Sequence, residues 1–383
     1  MITRLTCRRQ LFILAPLLLV IISSCKKDDF SATSANSIGI IRSSNSFVKG
    51  QVGLGIYEMD SSIYKLLYMG VTKIGTKSIN YGLVFDTGSG GMEIDANGIV
   101  PPSMITSSGF DFTGDSTIVN GITITSEESI FIYGADNASR STVYGNLAYA
   151  SVTIGEEDGN IVIKRLPFFM YYKAVDAAGK QLPAHSFDIL GVSPEYDIIF
   201  GNNEHITSPF SYFDPGNGLA KGFKMAALGT NNFSAGGTYV PGAVAVGLSR
   251  SDLSSPGLII SPLAQTQLQG DLPFIQSTIN YNNKSVSANV IFDTGTDPYN
   301  YIQDKTATAS VLLLQPGQAV SLATTSGFNY SYTTGATANL TYVENPATSG
   351  ASFSIIGLSF FLNNDYLLDY THSLMGFRNH VNL

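Results

Sequence analysis

The five residues Phe85-Asp86-Thr87-Gly88-Ser89 return, with one change, as Phe292-Asp293-Thr294-Gly295-Thr296. Each copy follows an apolar pair, Leu83-Val84 in the first and Val290-Ile291 in the second. The end of an apolar strand is an unfavourable place for a carboxylate unless something there pairs with it or uses it. Two such places in one chain predict two halves of similar plan that bring their carboxyls together. A lone Asp-Thr-Gly reads as a surface turn, because all three residue types are common in turns. Two copies after apolar runs constrain the chain far more than one.

Only 13% of the residues are charged, against 38 Gly, 20 Tyr and 22 Phe. That balance, with many Thr, Val and Ile, predicts an all-β protein. Helix is expected only around Ser211 to Leu228, around Ser261 to Leu268, and in a short turn near Leu358 to Leu362. The formal net charge is −8, and loss of a leader carrying Arg4, Arg8 and Arg9 would deepen it to −11. An acidic chain of this kind argues against nucleic acid and anionic lipid surfaces as partners.

Arg4, Arg8 and Arg9 precede an apolar run from Leu11 to Ile22, which is too short to span a membrane and fits a secretory leader over residues 1–24. Ile22-Ser23-Ser24-Cys25 resembles a bacterial lipobox, which implies a lipid anchor on Cys25; the alternative is an ordinary leader with a chance cysteine. Lys26-Lys27-Asp28-Asp29 resembles the Lys-acid-acid signal of Gram-negative surface lipoproteins, or is a solvated tether. The expected location is the outer membrane, with the cell surface as one orientation. Residues 25–49 are Ser- and Asn-rich without periodicity and predict a flexible tether, too short and too weakly basic for an inhibitory prosegment. With Cys7 lost and Cys25 lipidated, no disulfide is expected.

The order of further motifs is what gives the repeat a family likeness. Tyr68-Met69-Gly70-Val71-Thr72-Lys73-Ile74-Gly75-Thr76 leads into the first Asp-Thr-Gly. Ile132-Tyr133-Gly134, Gly145 and Val152-Thr153-Ile154-Gly155 follow, and then Phe187-Asp188-Ile189-Leu190-Gly191. The second half repeats the plan with Asp293-Thr294-Gly295-Thr296 and Ser354-Ile355-Ile356-Gly357, and ends on Tyr366-Leu367-Leu368-Asp369 and Met375-Gly376-Phe377. This arrangement resembles the pepsin-like aspartic proteases. The resemblance implies a bilobal all-β fold with a cleft between an N-terminal lobe over residues 50–232 and a C-terminal lobe over 233–383. It implies an endopeptidase in which Asp86 and Asp293 activate a water, with an extended peptide as substrate, no metal or cofactor, and a monomeric chain. It further implies that Ser89 and Thr296 bond the outer carboxylate oxygens and that Thr87 and Thr294 brace the two loops. Gly88 and Gly295 would supply backbone N–H groups and close approach. Tyr133 and Gly134 would belong to a flap over the substrate; a plain cross-strand aromatic is the other reading of Tyr133. Gly191 and Gly357 would pass beneath the catalytic loops, or else mark simple bulges.

Three departures stand out. The chain has no Trp, whereas the family usually supports the flap tyrosine with one just after the first motif; here that stretch reads Gly90-Gly91-Met92-Glu93. Asp297-Pro298 follows Thr296 where a small hydroxyl residue is usual. A carboxyl at 297 facing the pair would disfavour ionisation there, and one facing outward would be a turn residue. The distance from motif to apolar-apolar-Gly is 105 residues in the first half and 64 in the second, which predicts a lean C-terminal lobe and an open cleft on that side.

Other chemistries find no support. His185, His205, His372 and His380 are scattered without ligand spacing, there is no Gly-x-Ser-x-Gly, and Gly53-Leu54-Gly55 lacks a third glycine. Two rival classes stay open. One is a catalytically silent pepsin fold used for binding or adhesion, and the other a β-rich surface protein that captures glycans or nutrients.

Overall fold

The structure, a computed structural model, describes residues 47–133, 140–196, 198–216, 218–228, 232–266, 269–308 and 310–380. Cys25 and the proposed leader and tether up to residue 46 lie outside these, as does Gly134. Among the described residues no helix is long and apolar enough to cross a membrane.

The described chain is almost entirely β, and it forms the two-lobed architecture. Val52–Asp60, Lys65–Ile74 and Lys77–Asp86 run as an antiparallel meander. Ile122–Tyr133 and Ser141–Glu156 make a long hairpin, and Gly159–Val175 returns alongside it. The short strand Ile189–Val192 wedges between Lys77–Asp86, to which it is parallel, and Gly90–Asp95, to which it is antiparallel. These strands belong to a 14-stranded sheet.

That sheet is completed by strands from far along the chain. Thr238–Leu248 pairs with Val52–Asp60, and Ala220–Met225 joins it to Asn364–Asp369, Leu374–Asn379 and Ile259–Pro262. A second sheet of eight strands carries the other motif at the end of Lys284–Phe292. There Ser354–Ile356 runs parallel to Lys284–Phe292 and borders Tyr299–Gln303, as Ile189–Val192 does in the first half. The register is also the same. Val84, two before the aspartate, faces Ile189, and Ile291 faces Ile355.

The residue before each aspartate anchors it from below. Phe85 and Phe292 are both fully buried. Phe85 meets Phe223 edge-on at 5.7 Å between ring centres, while Phe292 lies 4.4 Å from Phe360 and 4.6 Å from Phe377. Truncating a ring in such a place costs about 3–5 kcal/mol. The aspartates therefore stand on the packed floor of each half.

Two helix expectations fail. Among the described residues of Ser211 to Leu228 only the 3-10 turn Pro209–Tyr212 is helical, and Ala220–Met225 is a strand. The turn residues Asp214-Pro215-Gly216 interrupt helical periodicity, and sheet partners on both sides of Ala220–Met225 override its local propensity. In the described part of Ser261 to Leu268, Ile259–Pro262 and Ala264–Thr266 are short strands, and residues 267 and 268 lie outside the described residues. The turn at Leu358–Leu362 is a 3-10 helix, and it buries Leu358, Phe360 and Phe361.

Candidate active site

Asp86 ends its strand and Asp293 follows the end of the other, and both are buried, 7% and 5% exposed. Each carboxyl is held in the same way. In the first half, the Gly88 N–H donates to Asp86 Oδ1 at 2.7 Å and the Ser89 hydroxyl to Oδ2 at 2.6 Å. In the second, the Gly295 N–H donates to Asp293 Oδ1 at 2.7 Å and the Thr296 hydroxyl to Oδ2 at 2.5 Å. Charge-assisted bonds of this length fix both carboxyl planes.

The two loops grip one another through their threonines. The Thr87 N–H donates to Thr294 Oγ1 at 3.0 Å, and the Thr294 N–H donates to Thr87 Oγ1 at 3.0 Å. The Thr87 hydroxyl then donates to the Phe292 carbonyl at 2.8 Å, and the Thr294 hydroxyl to the Phe85 carbonyl at 2.6 Å. All four polar groups are thereby satisfied across the lobe interface, where an unpaired one would cost about 1–3 kcal/mol.

Glycine at the third motif position is required by closeness. A methyl on Gly88 would lie 2.6 Å from Asp293 Cγ, and one on Gly295 would lie 3.1 Å from Asp86 Oδ1 and 3.2 Å from Asp293 Oδ1. Both inner oxygens thus crowd one point. Gly191 and Gly357 are equally constrained from below: a methyl would meet the Ser89 carbonyl at 2.7 Å, or the Thr296 and Tyr299 carbonyls at 2.4 Å. These are close backbone crossings, and not bulges of convenience.

The electrostatics follow from that crowding. Burial, the neighbouring Asp86 charge and a hydrogen bond to Asp86 push Asp293 well above the usual carboxylate range; Thr296 and the Gly295 N–H oppose this only in part. Two carboxyls so placed hold a proton between them at pH values where an ordinary aspartate has lost its own. The pair can therefore offer one acid and one base to whatever lies between its inner oxygens.

Asp297 does not add its charge to this centre. Its Oδ2 accepts the Lys65 N–H at 2.7 Å, tying the second lobe to the first hairpin. Burial raises its pKa to about 6, with Lys65 opposing and Asp60 reinforcing the rise.

Tyr133 lies at the end of the hairpin strand Ile122–Tyr133, half-buried. Its ring stacks on Phe187 at 4.7 Å and 22°, and its hydroxyl donates to Glu93 Oε1 at 2.7 Å. Sequence reasoning noted the missing Trp and passed over the carboxylate that stands in that stretch. A buried network behind it was also missed. Asp188 Oδ1 accepts the Asp95 N–H at 2.8 Å and the Tyr171 hydroxyl at 3.0 Å, while its Oδ2 meets His185 Nδ1 at 2.7 Å. The signal was present as an acid inside Phe187-Asp188-Ile189, an otherwise apolar run.

The histidines have local roles. His185, His372 and His380 pair with Asp188, Asp369 and Asp365, and His205 stacks on Tyr196. Among the described residues no group of three or more His, Cys, Asp or Glu side chains could hold a metal ion.

No protein-family model matches the chain, and no curated protein does. Solved structures do. An aspartic proteinase from Irpex lacteus superposes with a TM-score of 0.53 at 16% identity, covering 86% of this chain and 97% of that one. The basic 7S globulin of soybean gives 0.52 at 15% identity, covering 86% and 96%. Conglutin gamma, a basic 7S globulin of lupine seeds, gives 0.53 at 13%, covering 85% and 94%. At such identities the likeness establishes one thing, that the chain has the pepsin-like fold.

Proposed function

We propose that the protein is an aspartic endopeptidase. The observation that carries this reading is the paired carboxyl centre, in which each aspartate has its own N–H and hydroxyl donor and the two inner oxygens converge. The base of the pair takes a proton from a water between the inner oxygens. That water attacks the peptide carbonyl carbon, and the acid of the pair gives its proton to the carbonyl oxygen. The tetrahedral species then collapses as a proton passes to the departing amine, and the pair regains its single shared proton. Burial and Asp86 both disfavour the charged form of Asp293, so the pair keeps one proton for this step. An extended peptide suits a cleft flanked by strand ends, and Tyr133 with its hairpin would close over it.

The expected address is a lipid anchor on Cys25 at the outer membrane of a Gram-negative cell, presenting a monomeric enzyme that needs no cofactor. A second reading, binding without turnover, draws on the two structural neighbours named as globulins. The discriminating assay is digestion of a denatured protein from about pH 3 to pH 7, with and without a transition-state peptide inhibitor of aspartic proteases. Inhibitor-sensitive cleavage supports the enzyme; saturable peptide binding with no cleavage at any pH supports the binder.

A further inference from the structure

We infer that Glu93 is a positioning residue for the flap tyrosine, the carboxylate taking a role that an aromatic N–H donor fills elsewhere; the inference rests on the endopeptidase reading. The roles of donor and acceptor are inverted with respect to an indole support. An indole nitrogen can only donate, so it must bond a phenol oxygen acting as acceptor, whereas a carboxylate accepts the phenol's own proton. Here the Tyr133 hydroxyl donates to Glu93 Oε1 at 2.7 Å.

The placement follows from the strand register. Asp86 lies beside Gly191, Gly191 beside Gly91, and Glu93 is two residues further along that third strand, opposite Ile189. With ordinary strand spacings, Glu93 is about 12 Å from Asp86 along the sheet. It is 3% exposed, so its carboxyl faces the interior. The same short strand that passes under Asp86 is preceded by Phe187, whose ring stacks on Tyr133. Phe187 is itself fixed, because its N–H donates to the Tyr171 hydroxyl at 3.1 Å and that hydroxyl donates to Asp188. The Phe131 ring also meets the Tyr133 ring, at 4.7 Å and tilted by 57°. The tyrosine is therefore packed against two rings and aimed by a hydrogen bond. Of these, the bond to Glu93 fixes the direction of the hydroxyl, which decides whether the hairpin arm stands at the height an extended substrate needs.

The test is a double-mutant cycle of Glu93→Leu and Tyr133→Phe, with Glu93→Gln as the conservative variant. Each single change is expected to lower kcat/KM on an extended peptide about ten-fold, mostly in kcat. The double variant should be no worse than either single one. Glu93→Gln lacks the charge but keeps an acceptor oxygen, and should stay within about two-fold of wild type. Losses that multiply in the double variant, or a Glu93→Leu enzyme with wild-type kcat, would overturn the assignment. The same cycle read by thermal unfolding does not depend on turnover. Coupling between positions 93 and 133 supports the assignment and strict additivity overturns it, whereas failure of wild type to cleave any peptide overturns the endopeptidase reading alone.

Discussion

The two halves of the centre are built to one plan and finished differently. Phe187-Asp188-Ile189-Leu190-Gly191 and Phe353-Ser354-Ile355-Ile356-Gly357 occupy matching places, each paired to its motif strand in the same register. At the second position, Asp188 accepts the Asp95 N–H in one half, and the Ser354 hydroxyl oxygen accepts the Gln303 N–H at 2.9 Å in the other. Opposite the third position stands Glu93 in the first half and Tyr301 in the second. Glu93 reaches out to the hairpin, while Tyr301 turns inward and stacks on Tyr342 at 5.7 Å and 12°. What the halves share holds the carboxyls, and what they do not share reaches different neighbours. The lesson is that the pair needs symmetry only as far as its hydrogen-bond donors.

The largest expected effect breaks the symmetry at its centre. Asp86→Asn or Asp293→Asn leaves one carboxyl, which cannot be acid and base in the same step. Cleavage should fall on the order of 10³-fold or more in either variant. Both should fold, and Asp293→Asn should melt above wild type at neutral pH, since it removes a buried group whose ionisation Asp86 opposes. Residual turnover at near wild-type level in either variant would refute the shared-proton mechanism.

Next come the crossings beneath the loops. Gly357→Ala drives a methyl to 2.4 Å from two carbonyl oxygens, and Gly191→Ala drives one to 2.7 Å from the Ser89 carbonyl. Backbone has little room to yield, so each should cost about 3 kcal/mol, measured by denaturant unfolding, with Gly357→Ala the worse. Equal stability of either variant and wild type would mean that the strand does not thread so closely.

The fold and the pair were legible because they rest on local chemistry repeated twice. Phe-Asp-Thr-Gly after an apolar run announces its strand, its turn and its need for a partner carboxyl. The supporting groups were harder to see, since they act across sequence. Nothing near Glu93 names a tyrosine 40 residues on, and nothing near Asp297 names the backbone of Lys65. The failed helix at Ala220–Met225 has the same cause. Its partners are Thr238–Leu248 and Asn364–Asp369, so tertiary pairing decided its conformation.

Asp297 tests a tie that only the second lobe makes. Its folded pKa of about 6 lies above the usual 3.8, chiefly through burial. In this window the unfolded chain binds fewer protons, so stability falls as pH rises from about 4 to about 6 and is then level. Asn at this position keeps an acceptor for the Lys65 N–H and cannot ionise. Asp297→Asn should match wild type below about pH 4 and exceed it by up to about 3 kcal/mol above pH 6, read as unfolding free energy against pH. A constant difference at all pH values would show that the carboxyl is not the group being titrated.

The smallest effect sharpens the comparison of Ser89 with Thr296. The Thr296 hydroxyl donates to the charged form of the carboxyl that is already pushed up, and so restrains the rise. Thr296→Val keeps the shape and deletes the donor. Asp293 should then bind its proton still more tightly, and the pair should keep the shared proton to higher pH. The alkaline limb of kcat/KM should move upward by roughly half a unit, since losing one such bond is worth about 1 kcal/mol and part of it is spread over the coupled pair. Ser89→Ala removes the matching donor from the first motif. It should lower kcat/KM at the optimum by up to about ten-fold, as loss of one bond to a charged group does. An alkaline limb unmoved in Thr296→Val would show that this hydroxyl does not restrain the rise at Asp293.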